Sequence, residues 1–248
     1  MTLYVGTSGW AYKEWKPDFY PADLPQKKFL DYYGTQLTAC EINATFYRRQ
    51  SDETFQKWRD AVPDDFRFAV KAHRAISYTL DLSLHDRRKE HIAGFAESIA
   101  NLGDKLGIVM VQFPHKDPQP DAVLKLIEAL PDRVPYAVDF RKHEVWDTPE
   151  MRSELAARNA TICLSDRTGE VPGELPPGPT AYLRLRVERY DEVTRARWRD
   201  LLQLEAEARD VYAFVKHESG PANDPLAGVA LARWLVEETK SSFGRGGS

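Results

Sequence analysis

Cysteine is nearly absent from this chain: two residues in 248, Cys40 and Cys163. Both sit in apolar, strand-like runs, where a free thiol behaves as a small hydrophobe. Two cysteines are too few for a disulfide framework or a cysteine-based metal site. No apolar run is long enough to cross a bilayer, so no membrane partner is expected. No G-x-G-x-x-G follows the first strand-like run, which removes the fingerprint of a dinucleotide-binding sheet. No segment forms a basic arm, and the formal net charge is −4; bulk attraction to nucleic acid or anionic lipid is therefore not supported. The chain enters a strand pattern at once, without a basic-then-apolar leader, and the expectation is a reduced, cytoplasmic protein.

Apolar, β-branched runs are plentiful. They are "LYVGT" (3–7), "ACEINAT" (39–45), "FRFAVKA" (66–72), "LGIVMVQF" (106–113), "YAVDF" (136–140), "TICLS" (161–165), "AYLRLR" (181–186) and "VYAFVK" (211–216). Helical periodicity fills most gaps. Ile92, Phe95, Ile99 and Leu102 step by three and four. Ser51 can cap a helix over "DETFQKWRDAV". Thr148-Pro149 and Asp224-Pro225 both read as an N-cap followed by a first helical residue. "EVTRARWRDLLQLEAEAR" (192–209) is helical by composition, whereas "DRTGEVPGELPPGP" (166–179) is too rich in Pro and Gly for a helix. Eight strand–helix units in one chain of 248 residues predict an α/β fold, a (β/α)8 TIM-type barrel with its sixth helix short or missing. Residues 1–240 are expected to form one domain, and "SSFGRGGS" (241–248) a disordered tail.

In such barrels chemistry gathers at the C-terminal strand ends. Those ends carry Thr7 and Ser8; Glu41, Asn43 and Thr45; Lys71 and His73; Gln112; Asp139 and Arg141; Ser165, Asp166 and Arg167; Arg184 and Arg186; Lys216, His217 and Glu218. Isolated charges in a packed interior cost several kcal/mol unless paired, so these groups imply mutual pairing, a ligand, or both. Cations outnumber anions, which points to a small anionic, phosphate- or carboxylate-bearing ligand. The catalytic candidates are Glu41, Lys71, His73 and Asp139, and the substrate-binding candidates are Thr7, Ser8, Trp10, Tyr12, Asn43, Tyr47, Gln112, Arg141, Arg184 and Lys216.

Each candidate has a structural alternative. Glu41 could transfer protons, with its pKa set by burial beside Lys71, or form an ion pair with Lys71 that fixes the barrel. Trp10, Tyr12 and Trp15 could form a stacking wall beside the pocket or plug the barrel mouth. Arg141 and Arg184 could clamp an anion or bridge to Asp139, Asp166 or Glu41. No cofactor is predicted. His73, Glu41, Asp139, Asp166 and His217 offer donors suited to zinc or manganese, but no H-x-H, H-E-x-x-H or D-x-H spacing supports a divalent metal. His85, His91, His115 and His143 fall in helices or loops and read as surface residues.

"GTSGWAYKEW", "EINATFYR", "FRFAVKAHRAIS", "VQFP" and the "DFR…VW" segment resemble the DUF72, or YecE-like, family in order and spacing over roughly residues 3–235. The resemblance implies a (β/α)8 barrel and, by fold analogy, a likeness to metal-dependent nucleases of the endonuclease IV type; it implies no settled activity. The chain departs from the family pattern at Asp139, where Glu is usual before "FR", at Arg186-Val187 in place of "HG", and at Lys216–Glu218.

The leading expectation is an enzyme acting by acid–base chemistry on a small or nucleic-acid-derived anionic substrate. One alternative is a metal-dependent phosphodiesterase or endonuclease. Another is a non-catalytic barrel that binds a metabolite or nucleic acid.

Overall fold

The computed structural model describes residues 1–78, 86–114, 119–141, 143–218 and 220–243. Eight strands form the centre: β1 (Leu3–Thr7), β2 (Ala39–Ile42), β3 (Arg67–Lys71), β4 (Leu106–Phe113), β5 (Tyr136–Phe140), β6 (Ala160–Asp166), β7 (Thr180–Leu185) and β8 (Asp210–Val215). Each pairs in parallel with the next, and β8 closes on β1, from Leu3 opposite Val211 to Thr7 opposite Val215. The expected (β/α)8 barrel is the fold.

The helices surround it. α1 (Phe29–Gln36) follows β1; α2 (Ala44–Tyr47) and α3 (Asp52–Asp60) follow β2; α4 (Arg74–Ser77) and α5 (Asp86–Ala100) follow β3. α6 (Pro120–Ala129) follows β4, while α7 (His143–Trp146) and α8 (Pro149–Ala156) follow β5. α9 (Glu192–Ala208) and α10 (Gly228–Phe243) follow β7 and β8. Ser51 caps α3 by accepting from the Thr54 amide, and Thr148 caps α8 by accepting from Met151. The stretch 166–179 forms no helix. Arg209 holds this loop instead, donating to the carbonyls of Leu175, Pro176, Gly178 and Thr180 while pairing with Glu205.

The interior explains where polar groups emerge. Tyr4, Ala39, Ala69, Ile108, Met110, Ala137, Cys163, Tyr182, Tyr212 and Phe214 pack together inside the barrel, apart from the larger layer between strands and helices. Large rings from β1, β7 and β8 offset alanines from β2, β3 and β5, as close packing of a small barrel demands. Side chains alternate along a strand, so the next inward positions are Glu41, Lys71, Gln112, Asp139, Ser165 and Arg184. An apolar layer therefore supports a polar one.

The seam between β1 and β2 is short: Gly6 faces Ala39 and Thr7 faces Cys40. The Tyr33 hydroxyl bridges it, accepting from the Thr7 amide at 2.8 Å and donating to the Ala39 carbonyl at 3.0 Å. A Cβ on Gly6 would lie 1.8 Å from the Ala39 carbonyl oxygen, so only glycine permits this approach.

Three boundaries differ from the sequence reading. β2 ends at Ile42, and Thr45 turns into α2, donating to the Lys71 carbonyl at 2.7 Å. Asp224 caps no helix: it accepts from the Leu226 amide and pairs with Arg189, and α10 starts later, at Gly228. α10 reaches Phe243, so the first three residues of the expected tail are helical, and 244–248 lie outside the described residues.

Candidate functional site

Glu41 sits at the centre of the polar layer and is fully buried. Its Oε1 accepts from Ser8 Oγ at 2.9 Å, Asn43 Nδ2 at 3.1 Å, Arg184 Nη2 at 3.0 Å and Arg186 Nη2 at 3.4 Å. Its Oε2 accepts from the Tyr182 hydroxyl at 2.7 Å. Burial alone would push the Glu41 carboxyl up. The Arg184 and Arg186 guanidiniums, with the Tyr182 and Ser8 hydroxyls, outweigh it and hold the group well below the usual carboxylate range. A carboxylate so held is a poor proton acceptor. In this geometry Glu41 anchors two cations, Arg184 and Arg186. It does so without Lys71, with which it makes no ion pair.

The network continues through Arg184 to β5. Arg184 Nη1 donates to Asp139 Oδ2 at 3.1 Å, and Gln112 Nε2 donates to the same oxygen at 2.7 Å. Gln112 Oε1 accepts from Lys71 Nζ at 2.9 Å. Lys71 also lies over the Phe46 ring, 4.0 Å from its centre. Burial, reinforced by the Arg184 charge, lowers the Lys71 ammonium to about 8 against the opposing pull of Glu41 and Asp139. Seven expected residues, Ser8, Glu41, Asn43, Lys71, Gln112, Asp139 and Arg184, are thus joined into one hydrogen-bonded system. It draws on β1, β2, β3, β4, β5 and β7.

Asp139 is committed on one oxygen only; among the described residues nothing donates to Oδ1. It opens on a cleft of ≈ 670 Å³ that is also lined by Gln112, Arg141, Ser165, Asp166, Arg167 and Glu170. Arg141 and Arg167 are exposed and have no carboxylate within ion-pair distance among the described residues.

Other expected residues lie elsewhere. His73 does not join Glu41: β3 ends at Lys71, and His73 caps α4, its Nδ1 accepting from the Ala75 amide at 3.2 Å. It faces a second cavity, between α3 and α5. Lys216 turns outward to Glu188 at 3.5 Å and Glu218 at 3.9 Å. The Thr7 hydroxyl is spent on the Gly9 carbonyl at 2.7 Å and is unavailable to a ligand. Trp15 is core, stacked with Tyr20 and Tyr33, and Trp10 packs edge-on against Trp58 in the layer between strands and helices. Of the expected aromatic wall only Tyr12 stays near the mouth, stacked on His217 at 4.3 Å. Tyr47 is exposed beside Phe46.

The metal-donor set is also dispersed. Asp166 accepts from the Thr168 and Gly169 amides and from the Tyr190 hydroxyl, and His217 faces Glu218. Among the described residues no group of three or more His, Cys, Asp or Glu side chains could hold a metal ion. His85 and His115 lie outside the described residues. Sequence reading missed one member of the network, Tyr182; it places Arg186 at the rim without a role. The signal was there, since Tyr182, Arg184 and Arg186 share one parity.

A closed parallel eight-stranded barrel with a charged network at its C-terminal mouth defines a TIM-barrel protein whose polar groups converge where this fold places its chemistry. The chain belongs to the DUF72 family, described as "Protein of unknown function DUF72", which it matches over residues 4–245. It is 23% identical to the UPF0759 protein YunF of Bacillus subtilis, an alignment spanning 88% of this chain and 89% of that one. The crystal structure of a DUF72 family protein from Thermotoga maritima superposes with a TM-score of 0.73 at 24% identity, covering 99% of this chain and 100% of that one. More distant barrels share the fold. A D-psicose 3-epimerase from Clostridium cellulolyticum has a TM-score of 0.56 at 9% identity, covering 97% and 99%. Endonuclease IV from Thermus thermophilus has 0.52 at 14%, covering 95% and 99%. No helix among the described residues is long and apolar enough to cross a membrane.

Proposed function

We propose that this protein is a barrel enzyme that binds a small anionic substrate in the mouth cleft and acts on it by proton transfer. Asp139 accepts a proton, the Lys71 ammonium donates one, and Gln112 spaces them. Arg141 and Arg167 take the substrate's phosphate or carboxylate. Glu41 holds Arg184 in place, and Arg184 fixes the Asp139 rotamer. The observation that carries this reading is the bridge from Lys71 through Gln112 to Asp139, with an uncommitted carboxylate oxygen on the cleft.

The test is a turnover screen over sugar phosphates, nucleoside monophosphates and small carboxylates. With a substrate in hand, Asp139→Asn and Lys71→Met should each lower kcat about 100-fold or more, the scale of general acid–base catalysis; because Asp139 also pairs with buried Arg184, turnover is compared at a temperature where circular dichroism shows each variant folded. Wild-type activity should fall as the pH rises through about 8, where Lys71 loses its proton. Retained turnover in both variants overturns the assignment. Saturable binding without product by wild type supports the non-catalytic alternative. The endonuclease alternative is supported by fold likeness; among the described residues no three His, Cys, Asp or Glu side chains group to hold a metal ion.

A further inference from the structure

A second cavity of ≈ 310 Å³ opens beside the barrel mouth and shares none of its lining with the mouth cleft. Its floor is buried: Thr45, Phe55 and Ser98. Phe95 and Gly94 form one wall, and the rings of His73 and His91 lie near-parallel, 6.3 Å apart, along another. Arg49 stands at the rim. Its Nε donates to Ser98 Oγ at 3.1 Å, and no carboxylate lies within ion-pair distance of it among the described residues. Its guanidinium lies across α5 where Gly94 leaves room, since a Cβ there would come 3.0 Å from Nη1.

Phe95 answers the same question from the sequence side. It belongs to the periodic set Ile92, Phe95, Ile99 and Leu102 that reads as the buried face of α5. Ile92, Ile99 and Leu102 are buried in the core, whereas Phe95 stays partly open and turns its ring to the cavity. The cavity surface is mostly apolar; Glu90 and Gln50 line it as well, and its cation, Arg49, has no carboxylate within ion-pair distance among the described residues, an arrangement that suits a small apolar acid.

We propose that this cavity is a binding site for a small carboxylic acid with a compact apolar body, such as an aromatic ring. The carboxylate sits on the Arg49 guanidinium, and the ring lies against Phe95 and Phe55. The site's floor touches the mouth network at one point, because the Thr45 hydroxyl donates to the Lys71 carbonyl at 2.7 Å. The proposal does not depend on the reaction assigned to the mouth.

Calorimetric titration of the full chain with phenylacetate tests it, with phenylacetamide as the neutral match. Phenylacetate should bind saturably, and phenylacetamide about tenfold more weakly, the worth of one charge-assisted contact. Gly94→Leu fills the cavity and Arg49→Gln removes the cation. Each should weaken phenylacetate about tenfold or more while circular dichroism and melting temperature stay near wild type. Gly94→Ala, a milder change at the same wall, should give an intermediate loss should the leucine variant misfold. Absence of saturable binding to wild type, equal affinity for acid and amide, or unchanged affinity in Arg49→Gln overturns the proposal. Loss of turnover in the mouth variants leaves these readouts unaffected, so the two readings fail separately.

Discussion

Glu41 shows how a single residue changes meaning once its neighbours are known. As a candidate proton-transfer group it should tolerate replacement by glutamine at no cost in stability. Its five donors imply the opposite. Glu41→Gln leaves Arg184 and Arg186 buried without their shared counter-charge, and removing one partner of a buried ion pair costs about 3–5 kcal/mol. The pH dependence carries the same signature. The folded-state pKa lies below the ordinary 4.5, so the contribution is fully present above that value and is lost as pH falls toward the folded pKa. Urea midpoints measured from pH 7 down to pH 3 should fall for wild type. They should be lower at pH 7 and flatter across this range for Glu41→Gln. A variant as stable as wild type at pH 7 refutes the anchoring role. Much of this site was legible residue by residue, because charged side chains of one parity on a barrel strand have few places to go. Tyr182 was not flagged because an aromatic residue in a strand reads as core. It is core, and its hydroxyl is also the Glu41 donor. His73 was misplaced because parity holds only while the strand continues, and β3 stops two residues earlier.

The elements were read more securely than the residues that leave them. Eight β-rich runs separated by helical or Pro/Gly-rich stretches have few solutions besides a closed parallel barrel. Local signals found the caps at Ser51 and Thr148, where the side chain accepts from an amide three residues on. The Asp224-Pro225 signal failed because the Asp224 side chain is occupied by Arg189 and by a turn amide. Strand ends were overrun at β2, where the apolar pattern continues through Thr45 although the backbone has already turned. The missing sixth helix was legible from composition, but its replacement was not. One guanidinium on the far side of α9 gathers four carbonyls of the 175–180 segment. Arg209 is mostly buried and paired with Glu205, so the loop depends on a planar, multi-donor head group. Arg209→Lys keeps the charge and loses the fork; it should lower stability by about 1–3 kcal/mol, the worth of charge-assisted hydrogen bonds left unmade. Hydrogen exchange should rise selectively in 175–180 and the start of β7, with the mouth network unchanged. Uniform exchange, or none, removes the strap from the account of this loop.

At the scale of the whole molecule, charge decides which anions the mouth can take. A net charge of −4 gives no general attraction for a polyanion. Arg184 and Arg186 are tied to Glu41, and Lys216 faces Glu188 and Glu218. The cations lining the cleft without a carboxylate partner among the described residues are Arg141 and Arg167. A ligand therefore meets a local pair of guanidiniums rather than a basic face. A mononucleotide and an oligonucleotide that carries the same terminal group should bind with similar affinity, because phosphates beyond the cleft find no partners. For single strands the slope of log affinity against log salt is about −0.7 per neutralised phosphate, so two contacts predict a slope near −1.4. Fluorescence anisotropy with a labelled mononucleotide and a labelled 20-mer, across a salt series, measures both quantities. A much tighter 20-mer with a steep slope would mean that an extended surface, rather than the cleft, takes the ligand, and would move the search for function away from the barrel mouth.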